Sequence, residues 1–161
     1  MLTDSIRTLP GIGPKKAELF RKLGVTTLGE LVRLYPRTYE DRTRLVPIAA
    51  LEADTPACFV ATVATNPQTH RIPKPGSRCL ELTKVTVADH TGRLNLTFFN
   101  ASYTADRLLR GETYCFYGSV TGDYLGYAMT NPVFEPLDTA GKLTRCIVPI
   151  YPLTAGLTNK I

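Results

Sequence analysis

Residues 93–100 restrict the fold of this chain more than any other segment, because their apolar and polar side chains alternate with a period of two. One face of the segment carries Leu94, Leu96 and Phe98, and the other carries Arg93, Asn95, Thr97 and Phe99. Such alternation is typical of a β-strand that buries one face and leaves the other in solvent. The segment therefore predicts a half-buried strand of a sheet or barrel.

Phe99 is a large aromatic residue on the face of this strand that is otherwise polar, and Tyr103 follows four residues later. A ring displayed beside a guanidinium and an amide suits stacking on a nucleobase. The same pattern also fits a Phe99 ring that lies beneath a covering loop. Tyr103 is likewise either a second stacking ring or an aromatic residue packed beneath a helix. The residues alone leave these alternatives open.

The size and charge of the chain narrow the class of protein. Its 161 residues suffice for one domain with a hydrophobic core. The 19 Lys and Arg against 14 Asp and Glu give a net charge of +5, which suits a polyanionic partner without requiring one. The apolar stretches are far shorter than the roughly 20 residues needed to cross a bilayer, and the N-terminus lacks a secretory signal pattern. We therefore expect a cytoplasmic protein with no membrane partner.

The sequence predicts neither a metal site nor a catalytic site. The 4 cysteines are dispersed without a C-x-x-C pair, and with only 2 histidines the chain has no metal-ligand spacing. Cys58 and Cys115 lie in apolar runs and are expected to be small buried residues. No G-x-x-x-x-G-K-[ST] loop occurs, and neither histidine has a nucleophile beside it in a motif. We expect this chain to have no enzymatic activity by itself.

Three segments follow one another along the chain. Residues 1–45 indicate a helical hairpin, with helices over 15–23 and from Thr27 to Pro36. Residues 46–145 are mainly β, and the predicted elements are strands at 57–65, 79–88, 93–100, 113–120 and 127–134 with a short helix at 101–110. Three strands, a helix and two strands is the order of the OB-fold, a five-stranded Greek-key barrel. Residues 146–161 are expected to be a linker toward a further segment of a longer protein.

The hairpin begins with the turn LPGIGP at residues 9–14, which resembles the turn of helix-hairpin-helix DNA-binding motifs. Its glycines let the backbone approach a phosphate at a helix N-terminus, and two lysines add positive charge. The candidate phosphate contacts are Gly11, Gly13, Lys15 and Lys16. The alternative is a hairpin that only docks two helices, the second of which presents an apolar stripe. That stripe comprises Leu28, Leu31, Val32 and Tyr35.

A basic loop joins the first two predicted strands. Residues 68–78 contain Arg71, Lys74 and Arg78 and no acidic residue, and the loop at this position of an OB-fold contacts nucleic acid. The three cations are candidate phosphate contacts, which would make binding weaker in salt; the alternative is a solvated loop. Arg93 on the Phe99 strand and Arg107, one helical turn after Tyr103, are further candidates.

Almost end to end, the chain resembles the N-terminal region of the RecG family of ATP-dependent branched-DNA helicases. The resemblance rests on five runs in the same order, LPGIGPKKA at 9–17, YPRTYEDR at 35–42, DHTG at 89–92, FFN at 98–100 and PIYPLTAGL at 149–157. It implies that residues 46–145 form the family's wedge domain, an OB-fold placed at the branch of a replication fork or Holliday junction. Phe99 and Tyr103 match the positions at which members stack two rings on the bases exposed there.

The remaining expectations also come from the resemblance. The family's motor, which binds ATP and Mg²⁺, would follow Ile161, so no cofactor is expected within this chain. The expected partner is branched DNA, such as forks and four-way junctions, during recombination and repair, and the expected state is a monomer. A function of a different class stays open, in which the OB-fold is a protein-interaction module that docks single-strand DNA-binding protein.

Overall fold

The chain divides into two units in a computed structural model that describes residues 1–73, 76, 79–123 and 126–157. The smaller unit comprises Met1–Glu40 with the described residues from Val148 onward, and the larger unit comprises Asp41–Ile147. The sequence predicts boundaries after residues 45 and 145. Residues 148–157, which the sequence predicts as linker, belong to the smaller unit.

Helices form the N-terminal part of the smaller unit. A 3-10 helix spans Ile6–Thr8, and two α-helices follow, α1 (Pro14–Arg21) and α2 (Leu28–Val32). Pro14 occupies the first turn of α1, where an unpaired N–H would otherwise have no intrahelical partner. The buried apolar residues of this unit are Ile6, Phe20, Val25 and Leu157.

A capping box begins α2. The Thr27 hydroxyl accepts a hydrogen bond from the Glu30 amide at 3.3 Å, and the Glu30 carboxylate accepts one from the Thr27 amide at 3.0 Å. Hydrogen bonds from the Thr26 side chain and from the Thr26 and Thr27 amides lower the pKa of Glu30 to about 2. The cap fixes where the second helix starts, as the sequence predicts.

The predicted stripe on the second helix is only half correct. Leu28 and Leu31 pack against the core of the smaller unit together with Leu34, whereas Val32 and Tyr35 are 74% and 78% exposed. The helix ends at Val32, so helical periodicity cannot carry the stripe to Tyr35. The inward position beyond the helix is taken by Leu34 instead.

Strands make up most of the remaining elements, which lie in both units, and they are numbered in chain order. The elements are β1 (Thr38–Asp41), β2 (Pro56–Val63), β3 (Gln68–Ile72), β4 (Leu80–Ala88), β5 (Arg93–Phe99), α3 (Tyr103–Arg107), β6 (Thr113–Asp123), β7 (Gly126–Thr130), β8 (Val133–Pro136) and β9 (Ile147–Ile150). The first and last, β1 and β9, pair with each other in a two-stranded sheet. A short 3-10 helix spans Ile48–Ala50.

Five of these strands close a barrel with the OB-fold connectivity, which confirms the predicted fold. The strand order is β2-β4-β5-β7-β6, and β6 pairs back with β2 from Pro56 to Thr62. All neighbours are antiparallel except β5 and β7, which are parallel. Two strands lie outside this ring, with β3 paired to β4 and β8 paired to β6.

Two differences from the predicted elements concern strands of the larger unit. Strand β3 lies inside the predicted basic loop, and no apolar alternation marks it because all five of its residues are exposed. The predicted fifth strand at 127–134 is divided into β7 and β8, which pair antiparallel with successive parts of β6. Between them, Asn131 has a left-handed backbone with a φ of 47°. Asparagine tolerates this left-handed conformation better than most residues.

Aromatic residues and the apolar face of β5 fill the barrel. The rings of Phe59 and Phe116 stack with centroids 5.3 Å apart. Cys58 and Cys115 are buried as predicted, with their Sγ atoms 3.5 Å apart. Within the described residues no group of three or more potential metal ligands occurs, and no helix there is long and apolar enough to cross a membrane.

Asp89 shapes the predicted reverse turn between β4 and β5. Its carboxylate accepts hydrogen bonds from the amides of Thr91 at 2.7 Å, Gly92 at 2.9 Å and Ile48 at 2.8 Å. Burial disfavours the charged carboxylate, but these hydrogen bonds outweigh it and lower the pKa of Asp89 to about 2. The turn sets the register that carries the alternating residues of β5.

Candidate nucleic-acid interface

Phe99 ends β5 with its ring accessible to solvent. Leu94, Leu96 and Phe98 are 3% exposed or less, whereas Phe99 is 39% exposed. The alternation predicted from the sequence is therefore present, and the interpretation that a loop covers Phe99 is wrong. The ring stands on a face of the sheet where its neighbours along β5 are Thr97 and Asn95.

Two asparagines fix the backbone on either side of the Phe99 ring. The Phe99 amide donates to Asn131 Oδ1 at 2.8 Å, and the Asn131 amide donates to the Thr97 carbonyl at 2.8 Å. On the other side, Asn100 exchanges two hydrogen bonds with the backbone of Glu81, at 2.8 and 3.2 Å. Both asparagines have left-handed backbones, with φ of 51° and 47°. The ring is therefore carried by a rigid frame.

The role of Asn131 in this frame is not predicted by the sequence analysis. An Asn-Pro pair at 131–132 is a turn signal in the sequence, and it is hidden within a run that otherwise looks like one strand. Nothing in the sequence shows that the Asn131 side chain reaches back to the amide of Phe99, because 32 residues separate the two.

Tyr103 is the first residue of α3 and is 59% exposed. Thr104 and Leu108 of the same segment are each 1% exposed and face the core instead. The interpretation that Tyr103 is packed beneath the helix is therefore wrong. Phe99 and Tyr103 together are called the ring site below.

The C-terminal end of α3 is anchored to the barrel. The Tyr114 hydroxyl donates to the Arg107 carbonyl at 2.8 Å and accepts from the Leu109 amide at 3.1 Å. The Arg107 guanidinium lies 5.4 Å from the centroid of the Phe134 ring, a cation–π contact. The position of Arg107 is thus defined, while its side chain stays exposed.

Arg71, one of the predicted phosphate contacts, has an acidic partner in the structure. Its Nε lies 3.0 Å from Glu81 Oε1 across the β3–β4 pair. Hydrogen bonds from Ser102 and from Arg71 hold the pKa of Glu81 below its ordinary value. The Arg71 side chain is 76% exposed, and an exposed ion pair contributes little, so a phosphate can still compete for it. Lys74 and Arg78 lie outside the described residues.

Arg93 lies at the opposite end of β5 from Phe99. It is exposed and pairs with Ala88. Six residues along a strand span about 20 Å, so the structure does not bring Arg93 to the ring site. The two residues mark the two ends of one sheet face.

The predicted hairpin contacts belong to the smaller unit. Gly11 has a φ of 83°, which favours glycine, and the space where a Cβ would be is open. Gly13 caps α1 without any side-chain hydrogen bond. Lys15 and Lys16 are exposed.

A polar groove crosses the sheet face between Phe99 and Arg93, and the sequence analysis does not identify it. It has a volume of about 470 Å³. The polar side chains among its lining residues are Thr65, Asn66, Gln68, Lys84, Thr86, Asn95, Thr97 and Tyr127. We call it the outer groove. The alternation of polar Lys84 and Thr86 with apolar Val85 and Val87 on β4 is the sequence signal that would have indicated it.

Comparisons with known proteins give one consistent family. A family model described as the RecG wedge domain matches residues 5–161. The ATP-dependent DNA helicase RecG of Thermotoga maritima is 28% identical over 99% of this chain and 20% of its own length. The chain thus spans about one fifth of the length of the curated relatives it matches.

Solved structures agree with that match. A structure of RecG bound to a three-way DNA junction superposes with a TM-score of 0.81 at 26% identity, over 99% of this chain and 21% of that chain. The second OB-fold domain of replication protein A from Methanococcus maripaludis superposes with a TM-score of 0.50 at 17% identity, over 62% of this chain and all of that one. The latter likeness shows the fold alone.

Proposed function

Because the chain belongs to the RecG wedge-domain family, we propose that it recognises the branch of a replication fork or four-way junction and holds the strands apart there. Phe99 and Tyr103 stack on bases that are unpaired at the branch. The observation that carries this proposal is the exposed Phe99 ring on an otherwise polar sheet face. A similar protein, RecG, has been solved bound to a three-way DNA junction.

The energetics of stacking fit a passive wedge. Stacking a base on an aromatic side chain contributes about 1–3 kcal/mol, and one DNA stacking step is worth about 1.4 kcal/mol. Two rings therefore offset the opening of roughly two base-pair steps. The frame of Asn100 and Asn131 strengthens this effect, because the Phe99 backbone needs no ordering on binding.

Phosphate contacts would position the duplex arms without reading their sequence. In the larger unit these contacts are Arg71, Arg93 and Arg107, together with Lys74 and Arg78 outside the described residues. In the smaller unit they are Gly11, Gly13, Lys15 and Lys16. The exposure of those contacts that lie among the described residues supports this role.

The activity of a longer protein extends beyond the chain itself. The relatives are ATP-dependent DNA helicases roughly five times its length. We propose that the chain is the strand-separating part of such a helicase, monomeric and active in recombination and repair. ATP and Mg²⁺ would be bound by the motor of that longer protein.

Fork preference is the measurement that tests the ring site. The 161-residue chain is titrated with a forked oligonucleotide and with a linear duplex of equal length. Phe99→Ala is expected to lower the ratio of the two affinities, because stacking is available only where a base is unpaired. Tyr35→Ala removes an exposed ring of the smaller unit and is the matched control. An unchanged ratio in Phe99→Ala rejects the stacking role.

A second candidate function is docking of the tail of single-strand DNA-binding protein. It is favoured by β3, whose five residues are all exposed and which pairs, among the described strands, with β4 alone. The other edge of such a strand can accept an extended peptide through main-chain hydrogen bonds. The chain and its Phe99→Ala variant are each titrated with an acidic, apolar peptide and with the forked oligonucleotide. Docking on β3 predicts that the peptide binds both proteins equally well, whereas the stacking role predicts that fork binding is weaker in the variant.

A further inference from the structure

The ring site and Arg93 lie at opposite ends of one continuous sheet face, with the outer groove between them. Along β5 the side chains on this face run from Phe99 through Thr97 and Asn95 to Arg93. The face continues onto β4, where Lys84 pairs with Thr97 and Thr86 pairs with Asn95. A DNA strand that runs from Phe99 along β5 would therefore pass Thr97, beside which Lys84 lies on β4, and then reach Asn95.

We propose that the unpaired strand whose base stacks on Phe99 continues through the outer groove, where Lys84 binds its phosphate backbone. This inference rests on the proposed function, which brings an unpaired strand to Phe99. It adds a track for the nucleotides beyond the branch, and a phosphate-binding residue that the sequence analysis does not name.

The charge of the groove fits a polyanion. Lys84 is exposed and forms no ion pair with any described residue. Among the described lining residues no carboxylate occurs. A phosphate beside the Lys84 ammonium therefore gains a charge-assisted hydrogen bond without displacing an acidic partner.

The uncharged groups of the groove are arranged to donate hydrogen bonds. The Thr86 hydroxyl donates to Asn95 Oδ1 at 2.9 Å, and the Thr65 hydroxyl accepts from the Thr86 amide at 3.0 Å. Because its oxygen is engaged by Thr86, Asn95 presents its N–H groups to a ligand. Donors of this kind suit the oxygens of phosphate and sugar, which carry no sequence information.

The length of the groove fits a few nucleotides. Asn95 and Phe99 are four residue steps apart on β5, about 13 Å along a strand. Consecutive nucleotides of one strand are about 3.4 Å apart along a stacked helix, and farther apart when the strand is extended. The track beyond Phe99 thus takes two to four nucleotides at most, by this estimate from the two spacings.

A series of forks that differ only in the length of the unpaired arm tests the track. The arm carries one, two, four or eight unpaired nucleotides, and the 161-residue chain is titrated with each. We expect the affinity to rise until the arm has about four nucleotides. Lys84→Ala is expected to remove most of this rise in affinity. The loss of one charge-assisted contact should lower the affinity for the longer arms about tenfold. It should also reduce the slope of log affinity against log salt by about 0.7.

Two further variants show whether the loss in Lys84→Ala comes from the groove itself. One changes the charge of the groove, and the other removes a lysine elsewhere. Asn95→Asp keeps the acceptor for Thr86 but introduces a negative charge, so the rise should also be lost. Lys142→Ala removes another exposed lysine of the larger unit and should leave the rise intact. Each variant is checked by thermal unfolding.

The outcomes separate this inference from the proposed function. Loss of the rise in Lys84→Ala and Asn95→Asp, with Lys142→Ala unchanged, supports the track. A rise that persists in Lys84→Ala overturns it, even where Phe99→Ala abolishes fork preference. Fork preference that survives Phe99→Ala overturns the proposed function instead, and the track with it.

Discussion

The two regions of the chain that the sequence offers as DNA contacts differ in how firmly they are built. At the ring site, the two asparagines take part in four hydrogen bonds that fix the backbone around Phe99, as donors in two and as acceptors in two. Tyr103 begins a helix that is anchored by Tyr114. In the hairpin of the smaller unit, two exposed lysines follow a glycine cap without a side-chain hydrogen bond. A rigid ring can discriminate the shape of a branch, whereas exposed charge attracts any nucleic acid.

The largest expected effect belongs to the two rings together. If each ring stacks on its own base, Phe99→Ala and Tyr103→Ala should each reduce fork affinity by about 1–3 kcal/mol, and the double variant by about the sum. Affinity for linear duplex should change little in all three variants. The measurement is a double-mutant cycle on fork and duplex. A double variant no weaker than Phe99→Ala would show that Tyr103 does not stack.

The next largest effect concerns stability, and it compares a buried carboxylate on β8 with an exposed carboxylate of the same unit. Glu135 is 8% exposed, and its carboxylate accepts hydrogen bonds from the amides of Gly141, Leu143 and Thr144 and from the Thr144 hydroxyl. Burial raises the pKa of Glu135, but the four hydrogen bonds outweigh it, and the pKa lies below the ordinary 4.5. Glu135→Gln should cost about 1–3 kcal/mol near pH 7.

The pH dependence of that loss has a definite sign. Because the pKa of Glu135 is lower in the folded chain than in the unfolded chain, its stabilisation is complete above pH 4.5 and is lost as the pH falls through the folded value. The gap in free energy of unfolding between wild type and Glu135→Gln should therefore narrow in acid. Glu52→Gln, at an exposed carboxylate, is the control. A gap that does not change between pH 7 and acid contradicts this account.

The sequence predicts the barrel better than it predicts the frame around the ring. Alternation over 93–99 identifies β5 and the exposed face of Phe99, because the period of a strand is a local property. Asn131 is different, since its hydrogen bond to Phe99 joins residues 32 apart and exists only after β5 and β7 pair in parallel. Strand β3 escapes prediction because it buries no side chain. The outer groove likewise depends on which residues of β4 and β5 become neighbours.

A smaller effect is expected from loosening that frame while leaving both rings in place. Asn131→Gly keeps a residue that accepts the φ of 47° but removes the acceptor for the Phe99 amide. Fork affinity should fall by about 1 kcal/mol, the value of one hydrogen bond. Asn131→Ala should lose more stability than Asn131→Gly, because alanine is strained in the left-handed region. Equal fork affinity in wild type and Asn131→Gly would show that frame rigidity is not used in binding.

The smallest effect on branch recognition is expected from the hairpin. Lys15→Ala combined with Lys16→Ala keeps α1 intact, because alanine favours helix. Affinity should fall equally for fork and duplex, and the slope of log affinity against log salt should decrease by about 1.8 if both lysines neutralise phosphates. Lys22→Ala, at the other end of the same helix, is the control. An unchanged slope would mean that the hairpin only docks its helices. A lower ratio of fork to duplex affinity would mean that the hairpin, and not only the ring site, discriminates the branch.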